Sequence, residues 1–529
     1  MSWRNRLMTA LLMGAVAVPG ALHHRSAEAE TLRAVMHSDL KIVDPIWTTA
    51  YITRNHGYMI YDTLFAMDAN GDIQPQMADS YTVSDDNLVY TIKLRDGLKF
   101  HDGAPVTAED AVASIKRWGG RDTMGVMLMS YVESMEAVDD KTFTITLKKP
   151  YGLVLQSLGK PSSQVPFIMP KRIAETPPGE QISEYIGSGP FVFMKDEWKP
   201  GAIAVYEKFE DYVPRDEEPS WGAGGKVAKV DRVEWVWIPD QQTAINALLN
   251  GEIDLIEQPP HDLLPILEGD DSIVLFEQNP LGNQYMGRFN SLHPPFDNPK
   301  IRRAALLAMN QEDYLQAVIG DPRYFRTCAA MFVCGTPLAT DKGGEVLLES
   351  DFEGAKKLLE EAGYDGTPVV LMHSTDLQVL TNLAPVAKQH LEKAGFKVDM
   401  QDMDWQTLVS RRAKKDRPAE GGWNMFLTNW VAADVLNPIG TAALNATGAG
   451  AWFGWFDDPK LEQMKRDFAE ATSLEEQKRI AEEIQVYALE ELVTHPYLGQ
   501  WMQPVALRSN IEGMLQGPAP YFWNIEKKS

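Results

Sequence analysis

Residues 90–117, YTIKLRDGLKFHDGAPVTAEDAVASIKR, constrain the fold more than any other stretch of this chain. Apolar and polar residues alternate over 90–94, which predicts a half-buried strand. Two Asp-Gly turns follow, with a second short strand between them. Thr107 is a candidate helix N-cap, and Asp110 has the spacing of a capping-box acid. We therefore predict a β-hairpin that leads into a capped helix, without a nucleophile, metal cluster or phosphate loop.

This segment resembles the signature of the bacterial extracellular solute-binding proteins of family 5. These are the large periplasmic receptors of ABC importers for peptides, nickel chelates and other small solutes. Strand, turn, FHDG, PxTAxD and helix follow one another in the family's order, which makes the match far more specific than a lone Asp-Gly turn. Further landmarks also keep the family order: 61–65 (YDTLF), 186–193 (IGSGPFVF), 243–258 (TAINALLNGEIDLIEQ) and 296–320 (FDNPKIRRAALLAMNQEDYLQAVIG).

The resemblance implies an α/β fold arranged as a two-lobed clamp, similar to type II periplasmic-binding proteins, with an additional small α+β insert domain in the first lobe. Two crossover strands would form the hinge, and ligand binding would select the closed form. The closed complex would be presented to an inner-membrane ABC permease. The predicted segments are a signal peptide (1–29), the first lobe (30–65), the insert (66–185), the first lobe again (186–289), the second lobe (290–490) and a return to the first lobe (491–529).

The N-terminus has the pattern of a cleaved secretory signal peptide. Arg4 and Arg6 precede an apolar run over 7–18 that is too short to span a bilayer. Residues 27–29 (AEA) form a cleavage site of the A-x-A type. We predict an exported, periplasmic protein that does not insert directly into the membrane.

Charge and motifs restrict the function. The formal net charge of −24 at pH 7 argues against a nucleic-acid partner and favours a protein that repels its own copies, so we expect a monomer. The sequence contains no G-x-S-x-G, H-E-x-x-H, C-x-x-C, EF-hand or Walker motif. We predict a receptor for a small solute, peptide-like or amine-bearing, without enzymatic activity, cofactor or metal. A secreted hydrolase, or a peptide-binding chaperone or adhesive protein on the same scaffold, remains as an alternative.

The two cysteines, Cys328 and Cys334, lie close together in RTCAAMFVCGTP. They are too few for a disulfide-rich scaffold, and no histidine or second cysteine pair stands near them in the sequence for a zinc site. In an oxidising compartment we predict a disulfide that closes this short loop.

Several rings are candidate ligand contacts. Trp47, Thr49 and Tyr51 lie at the start of a predicted helix, where rings beside hydroxyls line either a pocket or the core. Trp452 and Phe453 belong to an aromatic cluster, AWFGWF, that forms either core or pocket wall. We include all five residues in the predicted ligand site.

Asp434 is the predicted charged contact. It follows an apolar strand that ends near Trp430, in a turn similar to one where family peptide binders hold the ligand's amino group with the aspartate. This chain has one more residue between Trp430 and Asp434 than the commonest family pattern. A carboxylate at a strand end beside a tryptophan suits an organic cation, while a helix-capping role for Asp434 remains open.

The carboxylate contact of the dipeptide receptors is missing from the expected place. Those receptors carry an arginine in the segment that corresponds to 373–382, which reads HSTDLQVLTN here and contains no arginine or lysine. We therefore expect a ligand without that carboxylate, with Arg288, Arg323 or Arg326 as the substitutes otherwise. Arg288 and Asn290 complete the predicted ligand site.

Overall fold

The computed structural model describes residues 30–471 and 473–528, so the predicted signal peptide lies outside the described residues. The first elements are β1 (Thr31–Val35), α1 (Tyr51–Ile60), β2 (Asp62–Thr63), β3 (Phe65–Met67), β4 (Ile73–Pro75), β5 (Ala78–Val83), β6 (Val89–Leu94), α2 (Ala108–Gly119), α3 (Thr123–Tyr131), β7 (Val132–Ala137), β8 (Thr142–Leu147), α4 (Val154–Leu158), β9 (Phe167–Ile168) and α5 (Lys171–Ala174). They are followed by β10 (Phe191–Phe193), β11 (Ile203–Lys208), β12 (Arg232–Val236), α6 (Gln241–Leu249), β13 (Leu255–Ile256), α7 (Leu264–Glu268) and β14 (Ile273–Glu277).

The second half of the chain continues the alternation of strands and helices. It contains β15 (Asn283–Phe289), α8 (Pro299–Leu307), α9 (Gln311–Val318), β16 (Phe325–Arg326), α10 (Phe352–Glu361), β17 (Val369–Ser374), α11 (Gln378–Thr381), α12 (Leu383–Lys393), β18 (Val398–Met403), α13 (Trp405–Arg411), β19 (Met425–Val431), α14 (Pro459–Glu470), α15 (Leu474–Glu490), β20 (Tyr497–Trp501), β21 (Pro504–Arg508), β22 (Ile511–Glu512) and β23 (Glu526–Lys527).

The first lobe is built on a mixed sheet in the order β10-β11-β12-β1-β13-β21-β14. β1 runs parallel to β12 on one side and to β13 on the other, so Ala34 lies opposite both Trp235 and Leu255. The strand-helix-strand pattern β12-α6-β13 had predicted parallel strands in one sheet, and β1 lies between the two. Since ligands of α/β sheets bind beyond the carboxyl ends of the strands, the segment after β1 is well placed for a site.

The second lobe has its own sheet, in the order β16-β20-β15-β19-β17-β18. β17 and β18 are parallel and joined through α12, which the sequence pattern predicts. β19 is parallel to β17, with Leu371 opposite Met425. The segments that follow β17 and β19 therefore leave the sheet at the same edge, and the turn after β19 carries Asp434.

Two antiparallel chain segments cross between the sheets. β14 pairs with β21 in the first sheet, and β15 pairs with β20 in the second, so each crossing strand continues from one sheet into the other. The crossings are residues 278–282 and 502–503. This arrangement confirms the two-lobed clamp joined by two crossover strands.

The lobe boundaries differ from the predicted ones. β15 begins at Asn283 and belongs to the second sheet, whereas the prediction kept the chain in the first lobe up to 289. β20 also lies in the second sheet, although the return to the first lobe was placed at 491. The first crossing reads EQNPLGNQ over 277–284, and this sequence does not show where the chain leaves one sheet and joins the next.

The insert contains an antiparallel sheet in the order β5-β6-β8-β7, together with α2, α3 and α5. The predicted capping box is confirmed, because Thr107 accepts from the Asp110 N–H while the Asp110 carboxylate accepts from the Thr107 N–H. The predicted hairpin is wrong. Both edges of β6 are occupied by β5 and β8, and the segment after it forms only an isolated bridge between Lys99 and Pro105.

The predicted disulfide between Cys328 and Cys334 is present, with a Cα–Cα distance of 5.9 Å. The buried side chain of Gln311, at the start of α9, is hydrogen-bonded to the backbone of Cys328. Its Nε2 donates to the Cys328 carbonyl at 2.8 Å, and its Oε1 accepts from the Cys328 N–H at 2.7 Å. The bridge thus closes a largely buried loop, residues 328–334, that is also hydrogen-bonded to α9 of the second lobe.

Candidate functional site

Two small cavities lie between the lobes and share Thr49 and Trp452 as lining residues. Their volumes are about 50 Å³ and 30 Å³. The first, called cavity A, is lined by residues that include Trp47, Thr49, Arg121, Lys160, Trp452 and Phe453. The second, called cavity B, is lined by residues that include Thr49, Tyr51, Gln258, Arg412, Trp430 and Trp452. Both lobes contribute to each cavity, so the structure is a closed clamp.

A hydrogen bond between Tyr51 and Asp434 joins the lobes next to cavity B. Tyr51 is the first residue of α1, and Asp434 ends the short 3-10 turn Ala432–Asp434 that follows β19. The Tyr51 hydroxyl donates to Asp434 Oδ2 at 2.8 Å and accepts from the Val431 N–H at 2.6 Å. Burial, followed by the charge of Asp434, raises the pKa of Tyr51, which keeps its hydroxyl protonated as a donor.

Asp434 is 2 % exposed and has one oxygen left over. Its Oδ2 accepts from Tyr51 and also from Ser162 Oγ at 2.9 Å, whereas its Oδ1 has no hydrogen-bond partner among the described residues. Burial raises the pKa of Asp434, against the opposing effect of the nearby Lys160 and Arg54. Because its side chain binds two hydroxyls across the lobes, the arrangement does not fit the helix-cap alternative.

A chain of buried polar groups extends from Asp434 into the first lobe. Arg54 Nη1 donates to Ser162 Oγ at 2.6 Å, and its Nη2 donates to Asn55 Oδ1 at 2.8 Å. Asn55 Nδ2 in turn donates to Glu257 Oε1 at 2.9 Å. Arg54 therefore contacts no carboxylate directly and lies between two of them, Asp434 and Glu257.

Arg412 is a buried cation in cavity B that the sequence analysis missed. It is 2 % exposed, and it forms no ion pair with a described residue. The guanidinium donates from Nη2 to Thr49 Oγ1 at 3.1 Å, while its Nε has no partner among the described residues. Its carbon lies 4.9 Å from the centre of the Phe453 ring. Burial lowers the pKa of Arg412 to about 9, so the group remains charged at neutral pH.

Cavity A contains two further cations. Arg121 Nη2 donates to the Trp47 carbonyl at 2.8 Å, and its Nε is buried without a partner in the described part of the chain. Lys160 is buried and paired with Asp122. Burial lowers the pKa of Arg121, as expected for a half-desolvated cation. Arg121 thus differs from Lys160 in forming no ion pair with a described carboxylate, and the charge of Asp44 acts on it only from a distance.

Most predicted site residues meet at these cavities. The rings and hydroxyl that line them are Trp47, Thr49, Tyr51, Trp430, Trp452 and Phe453. Trp430 and Trp452 pack with their ring centres 5.2 Å apart. Asp434 does not line either cavity; it is hydrogen-bonded to Tyr51, which lines cavity B.

Arg288 and Asn290 lie behind the wall. Arg288 is fully buried, and it donates to the carbonyls of Phe453 at 2.6 Å and Ala443 at 2.8 Å while lying 5.1 Å from the Trp452 ring centre. Asn290 Nδ2 donates to the Trp423 carbonyl at 2.8 Å. In this closed form both residues position backbone, and their predicted direct contact with a ligand stays a prediction.

The sequence held a signal for Arg412. Trp405, Leu408 and Val409 are buried along one face of α13, and Arg412 continues that spacing at i+7. The cationic run around it, RRAKKDR, reads as a solvated helix end, which hides this position. Arg121 gave no such signal, because its placement depends on how the insert packs against the first lobe.

Other kinds of site have no counterpart in the part of the chain that the structure describes. Among residues 30–471 and 473–528, no three His, Cys, Asp or Glu side chains converge on a possible metal ion. No helix in the same ranges is both long enough and apolar enough to cross a membrane.

Comparison with known proteins agrees with this architecture. The sequence model of the bacterial extracellular solute-binding proteins, family 5, matches residues 72–452. The chain belongs to this family. It is 38% identical over 532 residues to a probable peptide ABC transporter periplasmic-binding protein of Sinorhizobium fredii, covering 99% of both chains.

Solved structures show the same fold at lower sequence identity. A dipeptide-binding protein of Pseudoalteromonas sp. SM9913 in complex with Met-Leu superposes with a TM-score of 0.78 at 21% identity, covering 94% of this family member and 100% of that chain. A periplasmic binding protein of A. tumefaciens R10 in complex with agropinic acid gives 0.79 at 22% identity, covering 94% and 99%. Both likenesses concern the two-lobed fold.

Proposed function

We propose that this receptor captures a small peptide-like solute with a free amine between its lobes and delivers it to an inner-membrane ABC permease. The observation that carries the proposal is Asp434 Oδ1, a buried carboxylate oxygen without a partner among the described residues. The named peptide transport role of the Sinorhizobium fredii relative, which matches over 99% of its length, supports the same ligand class.

An ammonium group is the natural partner for Asp434. A buried carboxylate is costly unless it is paired and hydrogen-bonded, and the two hydroxyl donors on Oδ2 satisfy only half of it. A ligand ammonium has three donors and a compact charge, so it would satisfy Oδ1 when it enters with the lobes apart, since Asp434 lies behind Tyr51 in this closed form. Tyr51 and Ser162 then keep the carboxylate oriented, because they remain bound to its other oxygen.

The aromatic walls supply apolar contact to the rest of the solute. Trp47, Trp430 and Trp452 surround the cavities with large rigid rings. The cavities are much smaller than the several hundred Å³ of ordinary ligand pockets. A peptide therefore enters with the lobes apart, and the bound form holds them slightly wider or with Trp452 turned aside.

The remaining aspects of the role are proposals that family membership and the sequence support. We propose that the chain acts as a monomeric receptor without catalytic turnover, and that export removes residues 1–29. Mass spectrometry of protein isolated from the periplasm should find Glu30 at the N-terminus. A mass that retains residues 1–29 would contradict the cleavage.

Calorimetry with Ala-Ala and N-acetyl-Ala-Ala tests the amine contact. The Asp434→Asn variant keeps the shape and removes the charge, so it should weaken Ala-Ala binding by about 2–4 kcal/mol. N-acetyl-Ala-Ala, which has no ammonium, should bind weakly to the native receptor and lose little more with the variant.

The matched control is Asp467→Asn, on the exposed face of α14, which should leave Ala-Ala binding unchanged. Native affinity for Ala-Ala in the Asp434→Asn variant would show that this carboxylate does not hold the amine. Failure of the native receptor to bind Ala-Ala at all would count against a peptide-like ligand.

A further inference from the structure

Three buried N–H donors around the cavities lack acceptors in the described part of the chain. They are Nε of Arg121 in cavity A, Nε of Arg412 in cavity B, and Nε1 of Trp452, which lines both. A buried donor without an acceptor costs free energy, and the cost is larger for a charged group. The missing partners are therefore acceptor atoms, and two of them belong beside guanidinium groups.

Two buried ion pairs in this region are already balanced. Arg117 binds Asp44 at 2.7 Å, and Lys160 is paired with Asp122. Each pair is neutral and contributes nothing to the charge that a ligand must supply.

The chain of polar groups that begins at Asp434 has more carboxylates than guanidinium groups. It contains two carboxylates, Asp434 and Glu257, and one guanidinium, Arg54. His37 Nδ1 lies 2.6 Å from Glu257 Oε2. The ammonium group of the proposed ligand would neutralise this surplus.

Arg121 and Arg412 remain outside every pair, and no described carboxylate forms an ion pair with either. Arg412 has ring contacts as partial compensation, with Phe453 at 4.9 Å and Trp405 at 5.6 Å from its guanidinium carbon. Rings do not fill the directed N–H positions of a guanidinium, which match the two oxygens of a carboxylate.

We propose that the solute carries two carboxylates as well as its amine, with one carboxylate at Arg412 in cavity B and the other at Arg121 in cavity A. This inference rests on the proposed function, because it adds to the amine contact at Asp434. The ligand class is a small acidic peptide-like molecule of net charge −1. It spans Trp452, whose indole N–H donates to an acceptor in the middle of the ligand.

This assignment differs from the expectation of a ligand that lacks the carboxylate which a dipeptide presents at 373–382. That expectation came from the stretch 373–382, which contains no cation. The fold brings Arg412 into the same interlobe space from α13, and it brings Arg121 from the segment between α2 and α3.

Calorimetry at pH 7 with three peptides of similar size tests the charge requirement. Ala-Glu has two carboxylates, Ala-Gln has one, and Ala-Gln amide has none. Removal of each carboxylate should weaken binding by about tenfold to a hundredfold, the range for hydrogen bonds to charged groups. Equal affinity for all three peptides would overturn the proposal while leaving the receptor function intact.

Arginine variants assign the two steps. The peptide series gives two steps, the loss of affinity from Ala-Glu to Ala-Gln and the loss from Ala-Gln to Ala-Gln amide. One of these steps should disappear in the Arg121→Gln variant, and the other should disappear in the Arg412→Gln variant. The matched control, Arg479→Gln on the exposed face of α15, should keep both steps. Thermal unfolding of each variant establishes that it is folded, and Arg121→Gln serves if burial makes Arg412→Gln unstable.

Asp434→Asn separates this inference from the proposed function. It should weaken the three peptides by a similar factor and preserve the steps between them, because it acts on the amine alone. Retention of both steps in Arg121→Gln would refute the assignment of the second carboxylate. If none of the three peptides binds the native receptor, the peptide-like ligand itself is wrong, and the inference falls with it.

Discussion

At Asp434, burial and hydrogen bonding oppose each other. Burial favours the neutral acid, while Tyr51 and Ser162 donate to one oxygen and favour the carboxylate. The sequence placed an acidic residue at a strand end beside Trp430 and left two roles open. Only the fold decides between them, because the donors come from residues more than 250 positions away.

The raised pKa of Asp434 predicts a pH dependence of amine binding. The ammonium needs the ionised carboxylate, so affinity for Ala-Ala should fall as the pH falls through this raised pKa. The loss should begin above the pH at which an ordinary aspartate, with a pKa near 3.8, titrates. Calorimetry between pH 7 and pH 4 measures it, and the Asp434→Asn variant should lack this component. A native profile that matches the variant's would contradict the assignment.

Three buried histidines predict a loss of stability in mild acid. Burial lowers the pKa of His56 and His495 to about 3 and that of His101 to about 4. The unfolded chain takes up these protons near pH 6.5, whereas the folded chain does not. The free energy of unfolding therefore has its full value above about pH 6.5. Below that pH it falls by about 1.4 kcal/mol per pH unit for each histidine. Urea unfolding at pH 7 and pH 5 should show it, and an unchanged midpoint would be inconsistent with these pKa values.

At the scale of elements, local signals and non-local contacts differ in how far the sequence predicts them. The capping box of α2 is readable from Thr107 and Asp110, because both partners lie within one helical turn. Of the two neighbours of β6, β5 directly precedes it in the chain, whereas β8 is not readable locally, since it pairs with β6 across the whole of α2 and α3. Arg412 follows the apolar face of α13, but the cavity that it enters forms only when the lobes meet.

The hinge depends on a glycine at the first crossing. Gly282 has φ +72°, and a Cβ there would lie 2.6 Å from Met502 Sδ and 2.7 Å from the Trp501 carbonyl oxygen of the other crossing. We expect Gly282→Ala to destabilise the protein by about 1–3 kcal/mol, since it combines a strained φ with a backbone clash. Urea unfolding provides the measurement.

Gly179→Ala is the control for the hinge variant. A Cβ at Gly179 meets no atom within 4 Å, and its φ is not positive, so the change should be nearly neutral. Equal stability of Gly282→Ala and Gly179→Ala would show that the two crossings are not packed as closely as described.

At the scale of the whole molecule, the lobes meet through contacts at the rim as well as at the site. Lys149 and Tyr131, from the insert side, both bind Glu470 of α14 in the second lobe. Lys41 lies 3.6 Å from Asp404 across the interface. These exposed ion pairs contribute little each, so the closed form depends on what fills the space between the lobes.

The two-lobed design was predictable because the family resemblance covers landmarks along nearly the whole chain. The positions of the crossings were not, because the sequences of β15 and β20 do not show which sheet each strand joins. The ligand was the least predictable, since Asp434, Arg121 and Arg412 come from three separate segments. The sequence does not show which buried charges lie close enough to pair, so it does not show which charges a ligand must balance.

Small-angle X-ray scattering of the purified receptor, stripped of solute and then saturated with Ala-Glu, tests the central claim most directly. Calorimetry on the same sample establishes saturation. We predict that the radius of gyration falls on binding and that the scattering of the saturated form approaches that of this closed structure, with the lobes only slightly wider. An unchanged radius of gyration at full saturation would contradict a receptor that closes its two lobes around the solute.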